Sequence, residues 1–246
     1  MKLILLGTAG YHPSDRRQTA CLMIPEFGIV LDAGTAMYRV RNYLCTPQLD
    51  VFVSHAHLDH VVGITYLLDV VADKDVGRVT IHAAADKLEA IERHLLAEAL
   101  FPAQLPCEFR PLATQVALPA GGRLTHFPLD HPGGATGFRL DWPGHSMAYV
   151  TDTMASPLAR YIEAIRDVDL LVHECNFPDS RREMAKRTGH SVTTDVVELA
   201  SKARAGRLVI VHVDPTAEGD DPLNLKQARS IFPRTTLGQD LLEIEF

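Results

Sequence analysis

The sequence predicts an α/β protein that forms one domain, and three observations carry this prediction. Short β-rich segments alternate with helical segments along the whole chain. Hydrophobic residues make up 46% of the 246 positions, which suffices for a large core in one domain over residues 1–246. No repeat, low-complexity tract or linker divides the chain. Hydrophobic periodicity alone leaves several α/β folds open.

In the first half of the chain, apolar and β-branched runs predict short strands at residues 3–6, 21–24, 29–31, 51–53 and 78–82. A helix is predicted from about residue 59 to residue 71, because apolar side chains recur there at helical spacing. A second, longer helix is predicted over residues 84–100, ended by Pro102, since proline lacks the backbone donor that a helix needs.

In the second half, strands dominate residues 109–151, with a turn at Pro143-Gly144 between the strands 135–142 and 146–151. Two helices are predicted, one over residues 157–165 with Ser156 as its N-cap and one from Ser191 to Lys202 with Gly206 near its C-terminal end. Buried strands are predicted at residues 170–173 and 208–211.

One segment carries far more chemistry than any other. Residues 54–60 read Ser-His-Ala-His-Leu-Asp-His and follow directly on an apolar strand. Imidazole nitrogens and carboxylate oxygens are ligands that zinc selects. Without a metal, so many titratable groups at a strand end would cost desolvation and repulsion. One ion would not use all four groups without strain, so two ions sharing them is the better interpretation. These groups are His55, His57, Asp59 and His60.

The cluster resembles the signature of the metallo-β-lactamase superfamily. Further elements resemble the family pattern in the family's order, and each follows an apolar stretch. They are Asp32 in Leu-Asp-Ala-Gly-Thr, His131 in Asp-His-Pro, Asp152 in Tyr-Val-Thr-Asp-Thr and His212 in Val-His-Val-Asp. The resemblance covers nearly the whole chain and implies a four-layer αβ/βα sandwich, with two mixed β-sheets face to face and helices on the outside.

Shorter elements resemble the ribonuclease Z-like branch of this superfamily. They are the opening Leu-Leu-Gly-Thr-Ala-Gly at residues 5–10 with Arg16 and Arg17, the segment His-Glu-Cys-Asn-Phe at residues 173–177, and Gly-His-Ser at residues 189–191. By resemblance, the catalytic residues include His190, which assists departure of the alkoxide, and Glu174, which orients that histidine.

The resemblance also implies the metal ligands. One divalent metal ion is expected on His55, His57 and His131, and a second on Asp59, His60 and His212, with Asp152 bridging both. Asp59 is expected to accept the proton of the attacking water or to orient it, and Asp32 to orient a ligand imidazole. The histidine-rich set favours zinc, although manganese or iron would accept the same ligands.

The substrate expectation follows from a departure from the branch. Members that process transfer RNA carry a long RNA-gripping arm between the third-element histidine and the bridging aspartate. Here residues 132–151 separate His131 from Asp152 and predict only two strands and a turn, which leaves no arm. The resemblance therefore implies a phosphodiesterase that uses metal-bound hydroxide on a small or cyclic phosphodiester or a short nucleotide. Two alternatives stay open, an RNA 3′-processing endonuclease and an ester, thioester or lactam hydrolase on the same scaffold.

Charge and cysteine usage bound the partners. The net charge of −7 has the wrong sign for electrostatic capture of long nucleic acid. A local basic patch would still allow such binding, so binding of long nucleic acid is left open. The basic run 181–187 is either a solvated helix face or a phosphate-steering edge. Four widely spaced cysteines without a CxxC pair predict a cytoplasmic protein, and no apolar stretch suits a membrane. Dimers are frequent in the branch, so a homodimer is compatible with the sequence.

Overall fold

The computed structural model describes all residues, 1–246, as two compact units. The first unit comprises Met1–Thr114 and Asp240–Glu245, and the second comprises Gln115–Gln239 with Phe246. Each unit contains one mixed seven-stranded sheet. That residues 1–246 act as one hydrolase domain stays a prediction.

The sheet of the first unit has the strand order β14-β1-β2-β3-β4-β5-β6, with β3 to β6 parallel to one another. Its strands are β1 (Lys2–Gly7), β2 (Cys21–Ile24), β3 (Ile29–Leu31), β4 (Gln48–Phe52), β5 (Arg78–Ala83), β6 (Glu108–Pro111) and β14 (Leu242–Glu245). All the strands predicted in this half are confirmed, within a few residues at their ends. Their apolar side chains meet those of the helices in one buried core.

The helices of the first unit are short. They are the 3₁₀ helices Pro25–Phe27, Thr35–Asn42 and Val62–Tyr66, the α-helices α1 (Leu58–Val61), α2 (Leu67–Val70) and α3 (Ala85–Ala90), and a π-helix at Ile91–Leu95 that continues α3. The predicted helix over 59–71 is thus interrupted. Gly63 explains the interruption, because its backbone N–H donates to the carbonyl of Ala33 outside the helix. The predicted helix over 84–100 ends at Leu95.

The sheet of the second unit has the order β13-β12-β11-β10-β9-β8-β7. Strands β10 to β13 are parallel, and β7 to β10 form an antiparallel meander. The strands are β7 (Gln115–Leu118), β8 (Gly122–Leu129), β9 (Ala135–Trp142), β10 (His145–Val150), β11 (Leu170–Glu174), β12 (Arg207–Val211) and β13 (Thr235–Leu237). The two strands and the turn predicted in place of an arm are confirmed.

The helices of the second unit are the 3₁₀ helices Pro119–Gly121 and Asp179–Arg181 and the α-helices α4 (Arg182–Thr188), α5 (Thr193–Lys202) and α6 (Leu225–Ile231). Helix α5 buries Val196, Val197 and Leu199 in the core of this unit. Burial of three such side chains supplies several kcal/mol, at about 1.5–3 kcal/mol each.

In this half the helix predicted over residues 157–165 is wrong, whereas the helix predicted from Ser191 to Lys202 is confirmed with different caps. Residues 157–165 form successive turns, since Ala159, Ile162 and Ala164 donate to carbonyls only three residues earlier. Helix α5 has Val192 at its N-cap and ends at Lys202 with Ala203 as its C-cap, so neither Ser191 nor Gly206 caps it. The Ser191 hydroxyl instead donates to the Thr153 carbonyl at 2.7 Å, a long-range contact that the local sequence does not signal.

The basic run 181–187 lies at and within α4, where acidic side chains pair with most of it. Arg181 contacts Asp214 at 2.6 Å, Arg182 contacts Asp195 at 2.5 Å, and Lys186 contacts Glu183 at 3.1 Å. This pairing favours the solvated helix face over a phosphate-steering edge. All four cysteines are free thiols. None of the helices has the length and apolar character needed to cross a membrane.

Candidate metal centre

In the first unit, the candidate ligands follow the carboxyl ends of two neighbouring parallel strands. Leu31 at the end of β3 pairs with Phe52 at the end of β4. Carboxyl ends of adjacent parallel strands lie at one edge of a sheet, which brings the residues that follow them together. Asp32 therefore reaches Ser54, accepting from its backbone N–H at 2.7 Å and from its hydroxyl at 2.9 Å.

Hydrogen bonds to Asp32 decide which nitrogen of two imidazoles is available to a metal. His60 Nδ1 lies 2.8 Å from Asp32 Oδ2, and a carboxylate only accepts, so Nδ1 carries the proton. His55 Nδ1 lies 2.9 Å from the Ser54 hydroxyl, whose own proton goes to Asp32, so this Nδ1 also donates. Each ring is thereby left with a lone pair on Nε2, the form that a metal ligand requires.

His57 and Asp59 complete the candidate set of this unit. The His57 ring is exposed and meets the buried His55 ring edge-on, with centroids 4.5 Å apart. Asp59 Oδ2 lies 3.4 Å from His60 Nε2 and accepts the backbone N–H of Tyr11 at 2.8 Å. All four residues of the sequence cluster are thus neighbours in the structure, with Asp32 as the acceptor behind them.

In the second unit, the register of three parallel strands places the remaining candidates. Val150 pairs with His173, and Glu174 pairs with Val211, so the ends of β10, β11 and β12 lie side by side. Asp152 follows β10, Glu174 closes β11, and His212 follows β12 with a backbone φ of +59°. The candidates of this unit therefore also gather at the carboxyl edge of a sheet.

Asp152 faces two imidazole nitrogens. Its Oδ1 lies 3.1 Å from His212 Nε2, and its Oδ2 lies 3.5 Å from His131 Nε2. The Nδ1 of His131 donates to the Gly189 carbonyl at 3.1 Å, so its Nε2 presents a lone pair to the carboxylate. The Nε2 lone pair and the carboxylate oxygen repel each other unless a cation binds both atoms or Nε2 carries a proton. This donor set fits a divalent metal ion.

Glu174 and His190 form a second pair beside these atoms. The Glu174 carboxylate is fully buried and accepts the backbone N–H groups of Thr153, Asn176 and Ser191 at 3.0–3.1 Å. Its Oε1 also lies 3.2 Å from His190 Nδ1. Potential ligand atoms of Asp152, His190 and His212 lie within 4.8 Å of one another. Glu174 therefore holds the His190 imidazole beside two candidate metal ligands.

Several residues beyond the predicted ones contribute to the site. The Ser54 hydroxyl accepts a hydrogen bond from His55 and donates one to Asp32. The side-chain amide of Asn176 lies 3.2 Å from His212 Nδ1, and the Gly189 carbonyl orients His131. No sequence signal identifies them, because each acts through a contact set by the fold. Asn176 and Gly189 do stand inside the motifs that pointed to Glu174 and His190.

Burial sets the protonation of groups around the Glu174 strand. Desolvation lowers the pKa of His173 below its ordinary value, outweighing its hydrogen bond to the Glu174 carbonyl. The Tyr161 hydroxyl lies 3.0 Å from His173 Nε2, and burial raises the tyrosine pKa well above its usual value. Burial likewise raises the pKa of the Cys175 thiol, so Cys175 is a packing residue rather than a thiolate ligand.

Comparison with known proteins places the chain in a family. The family model described as beta-lactamase superfamily domain matches residues 28–213, which is more than half of the chain. A ribonuclease Z of Gemmatimonas aurantiaca is 26% identical over 98% of this chain and 94% of its own length. A ribonuclease Z of Methanosarcina acetivorans is also 26% identical, over 100% and 98% of the two chains.

Solved structures show the same fold. The metallo-beta-lactamase fold protein YhfI from Bacillus subtilis has a TM-score of 0.83 and 20% identity, covering 99% of each chain. The short form of human tRNase Z has a TM-score of 0.74 and 19% identity over 100% of this chain and 99% of its own. A diphosphatase from the PhnP family has a TM-score of 0.75 and 20% identity over 100% and 97%.

These similarities in fold confirm the predicted αβ/βα sandwich with two mixed sheets and outer helices. The match of the family model agrees with the ordered motifs of the sequence and with the histidine and aspartate clusters in both units. The chain therefore belongs to the beta-lactamase superfamily and is a metal-dependent hydrolase whose curated relatives include ribonucleases Z.

Proposed function

We propose that the chain is a metal-dependent phosphodiesterase that hydrolyses a small or cyclic phosphodiester or a short nucleotide. In this proposal residues 1–246 act as one hydrolase domain. Two divalent ions, zinc by preference, are held by seven ligands of this domain. The ligands are His55, His57, Asp59, His60, His131, Asp152 and His212. The tautomers of His55, His60 and His131 support the proposal, because the hydrogen-bonded Nδ1 of each of these three rings leaves a lone pair on Nε2.

When bound, divalent ions supply positive charge for an anionic phosphodiester and lower the pKa of water toward about 7. The residues of the chain would perform the remaining work. Asp59 would orient the attacking water or accept its proton, and the Tyr11 N–H holds its carboxylate in place. His190 would donate a proton to the departing alkoxide, or stabilise its charge, from a position that Glu174 fixes.

The observation that carries the proposal is the buried Glu174 beside His190. Three backbone N–H groups and the His190 imidazole all point at this carboxylate, which leaves it neither exposed nor free to move. Such a pair places a proton donor beside candidate metal ligands, as a poor leaving group requires. A thioester hydrolase has less need of such a donor, since a thiolate departs more easily than an alkoxide, so the thioesterase alternative is disfavoured.

A second candidate is RNA 3′-processing, favoured by the names of the curated relatives. The alignment with the first of them runs over 299 positions, more than the 246 residues here, so that relative contains segments without a counterpart in this chain. The segment between His131 and Asp152 consists mainly of the paired strands β9 and β10, so it contains no RNA-gripping arm. The small-substrate phosphodiesterase is therefore the better-supported function.

One pair of variants tests the proposal. His57→Ala should lose at least one metal ion and nearly all activity toward bis-p-nitrophenyl phosphate. His190→Ala should keep its metal content and its activity on that substrate, but should hydrolyse phosphodiesters with alkoxide leaving groups about 10²–10⁴-fold more slowly. Metal content is measured on the purified proteins, and rates are measured on a panel of cyclic and linear phosphodiesters.

Two results would contradict the proposal. Full metal content and turnover in His57→Ala would show that His57 is not a metal ligand. Equal losses for good and poor leaving groups in His190→Ala would remove the proton-donor role. Cleavage mapping on precursor transfer RNA, run with the same wild-type protein, separates the second candidate from the first.

A further inference from the structure

The loop between β1 and β2 in the first unit is held at its base by one carboxylate. Asp240 Oδ1 accepts the backbone N–H and the hydroxyl of Thr8, at 3.0 and 2.7 Å. Its Oδ2 accepts the backbone N–H of Gln18 at 2.7 Å and pairs with Arg39 at 2.6 Å. Both ends of residues 8–18 are therefore fastened to the same side chain, and the loop has a defined shape.

Tyr11 lies near the tip of this loop in a conformation that bulky residues avoid. Its φ is +63°, a region that favours glycine and costs a bulky side chain free energy. The backbone N–H of Tyr11 donates to Asp59 Oδ2, the carboxylate that also lies 3.4 Å from His60 Nε2. Strain of this kind persists where surrounding contacts impose it, and such positions cluster at functional sites.

The Tyr11 side chain has no packing role that would explain this strain. The residue is 80% exposed, and its ring touches the His12 ring edge-on with centroids 5.2 Å apart. Leu58, which directly precedes Asp59 in the chain, is 68% exposed. An exposed aromatic ring is thus carried by a residue whose backbone N–H contacts the carboxylate of the proposed catalytic cluster. Proteins that bind single-stranded nucleic acids use aromatic side chains of this kind as surfaces on which bases stack, whatever the base.

We propose that Tyr11 is a specificity residue whose ring stacks on the nucleobase of a nucleotide phosphodiester. This inference rests on the proposed phosphodiesterase function and deepens it by naming a nucleoside ester as the substrate class. The fastened loop supplies a preformed binding face, which lowers the entropic cost of ordering the ring on binding. The backbone contact with Asp59 is independent of the side chain, so removal of the ring leaves the Asp59 hydrogen bond intact.

The test compares two substrates that share a leaving group and differ in the base. They are the p-nitrophenyl ester of thymidine 5′-monophosphate and methyl p-nitrophenyl phosphate, assayed with the metal-loaded enzyme. Tyr11→Ala should raise KM for the thymidine ester about tenfold, within the range that stacking on one base supplies. It should leave kcat for that ester and KM for the methyl ester close to wild type. Tyr11→Phe, which keeps the ring, is the matched control and should behave as wild type on both substrates.

Three results would overturn the inference. Equal changes in KM for the two esters would show that Tyr11 does not read the base. An unchanged KM for the thymidine ester in a folded Tyr11→Ala would do the same. A KM rise in Leu100→Ala but not in Tyr11→Ala would assign the base to the cavity of about 300 Å³ lined by Ala56, Leu58 and Leu100. Absence of wild-type activity on either ester would instead count against the proposed function, so the two failures differ.

Discussion

At the scale of single residues, the chemistry of the candidate centre depends on which imidazole nitrogen, Nδ1 or Nε2, carries the proton. Asp32 is fully buried and receives three hydrogen bonds, one from His60 and two from Ser54. It thereby keeps both His60 and, through Ser54, His55 in the tautomer that presents Nε2. The sequence predicts that Asp32 orients a ligand imidazole, and the hydrogen bond between Asp32 and His60 agrees with that prediction.

Asp32→Asn tests this arrangement at little cost to the backbone. Asparagine tolerates the φ of +59° at this position but has one acceptor where the aspartate has two. We expect the variant to fold and to bind zinc about 10–100-fold more weakly, the usual effect of removing a partner behind a ligand histidine. Competition with a chromophoric chelator measures the affinity.

Asp50→Asn is the matched control. Asp50 is also a nearly buried carboxylate of the first unit that contacts an imidazole, His82, at 2.9 Å, but no candidate ligand. Its substitution should lower stability and leave zinc affinity unchanged. Wild-type zinc affinity in a folded Asp32→Asn would show that Asp32 does not govern the ligand tautomers.

At the scale of elements, helix ends and strand ends position the centre. Helix α4 ends at Gly189, whose φ of +77° forms its left-handed C-cap, and the carbonyl of that glycine orients His131. A Cβ at Gly189 would lie 2.6 Å from Pro132 Cδ and 3.2 Å from His131 Nδ1. The helix end and the candidate ligand His131 are therefore packed against each other, which accounts for a glycine directly before His190.

Gly189→Ala should destabilise the protein and disturb metal binding together. Strain from the left-handed backbone alone costs about 1–2 kcal/mol, and the contact with Pro132 and His131 adds to it. Gly144→Ala provides the comparison, because Gly144 has a φ of +80° and no atom lies within 4 Å of the position that an added methyl group would take. Urea unfolding and metal analysis of both variants separate backbone strain from displacement of His131.

We expect Gly144→Ala to show the strain cost alone, with wild-type metal content. If Gly189→Ala lost no more stability than Gly144→Ala and kept its metal, then the packing of His131 against the cap would not matter for the centre.

At the scale of the whole molecule, burial of ionisable groups makes stability depend on pH. His173 is fully buried in β11, and desolvation lowers its pKa in the folded state. Protonation is therefore easier in the unfolded chain, where a histidine titrates near about 6.5. The stability that neutral His173 contributes is complete above that pH and declines as the pH falls toward the lower folded-state pKa.

We expect the metal-free protein to lose stability between pH 7.5 and 5.5, with a His173 contribution of at most about 1.4 kcal/mol per pH unit. The stability difference between wild type and His173→Gln should shrink over the same interval. Urea unfolding midpoints at pH 5.5, 6.5 and 7.5 measure it. A difference that stays constant, or grows toward acid pH, would show that His173 is not the group responsible.

Predictability from sequence differed sharply between strands and helices. Strands such as β2 and β3 were predicted to the residue, because short apolar runs between turn residues leave few alternatives. The helix predicted over 157–165 failed, although Ser156 and Pro157 supply ordinary start signals. Its buried residues Tyr161 and Ile165 are held by tertiary packing in successive turns, which overrides local preference.

The sequence by itself determined the kinds of candidate ligand, their order and their attachment to strand ends, because strand periodicity and the donor atoms of histidine and aspartate are local properties. Only the tertiary structure decided which nitrogen is available in His55, His60 and His131 and which carboxylate contacts which histidine. The partners that decide this, Asp32 for His60 and Gly189 for His131, lie 28 and 58 residues away along the chain. Hydrogen bonds over such separations follow from strand register and helix packing, which no local pattern encodes.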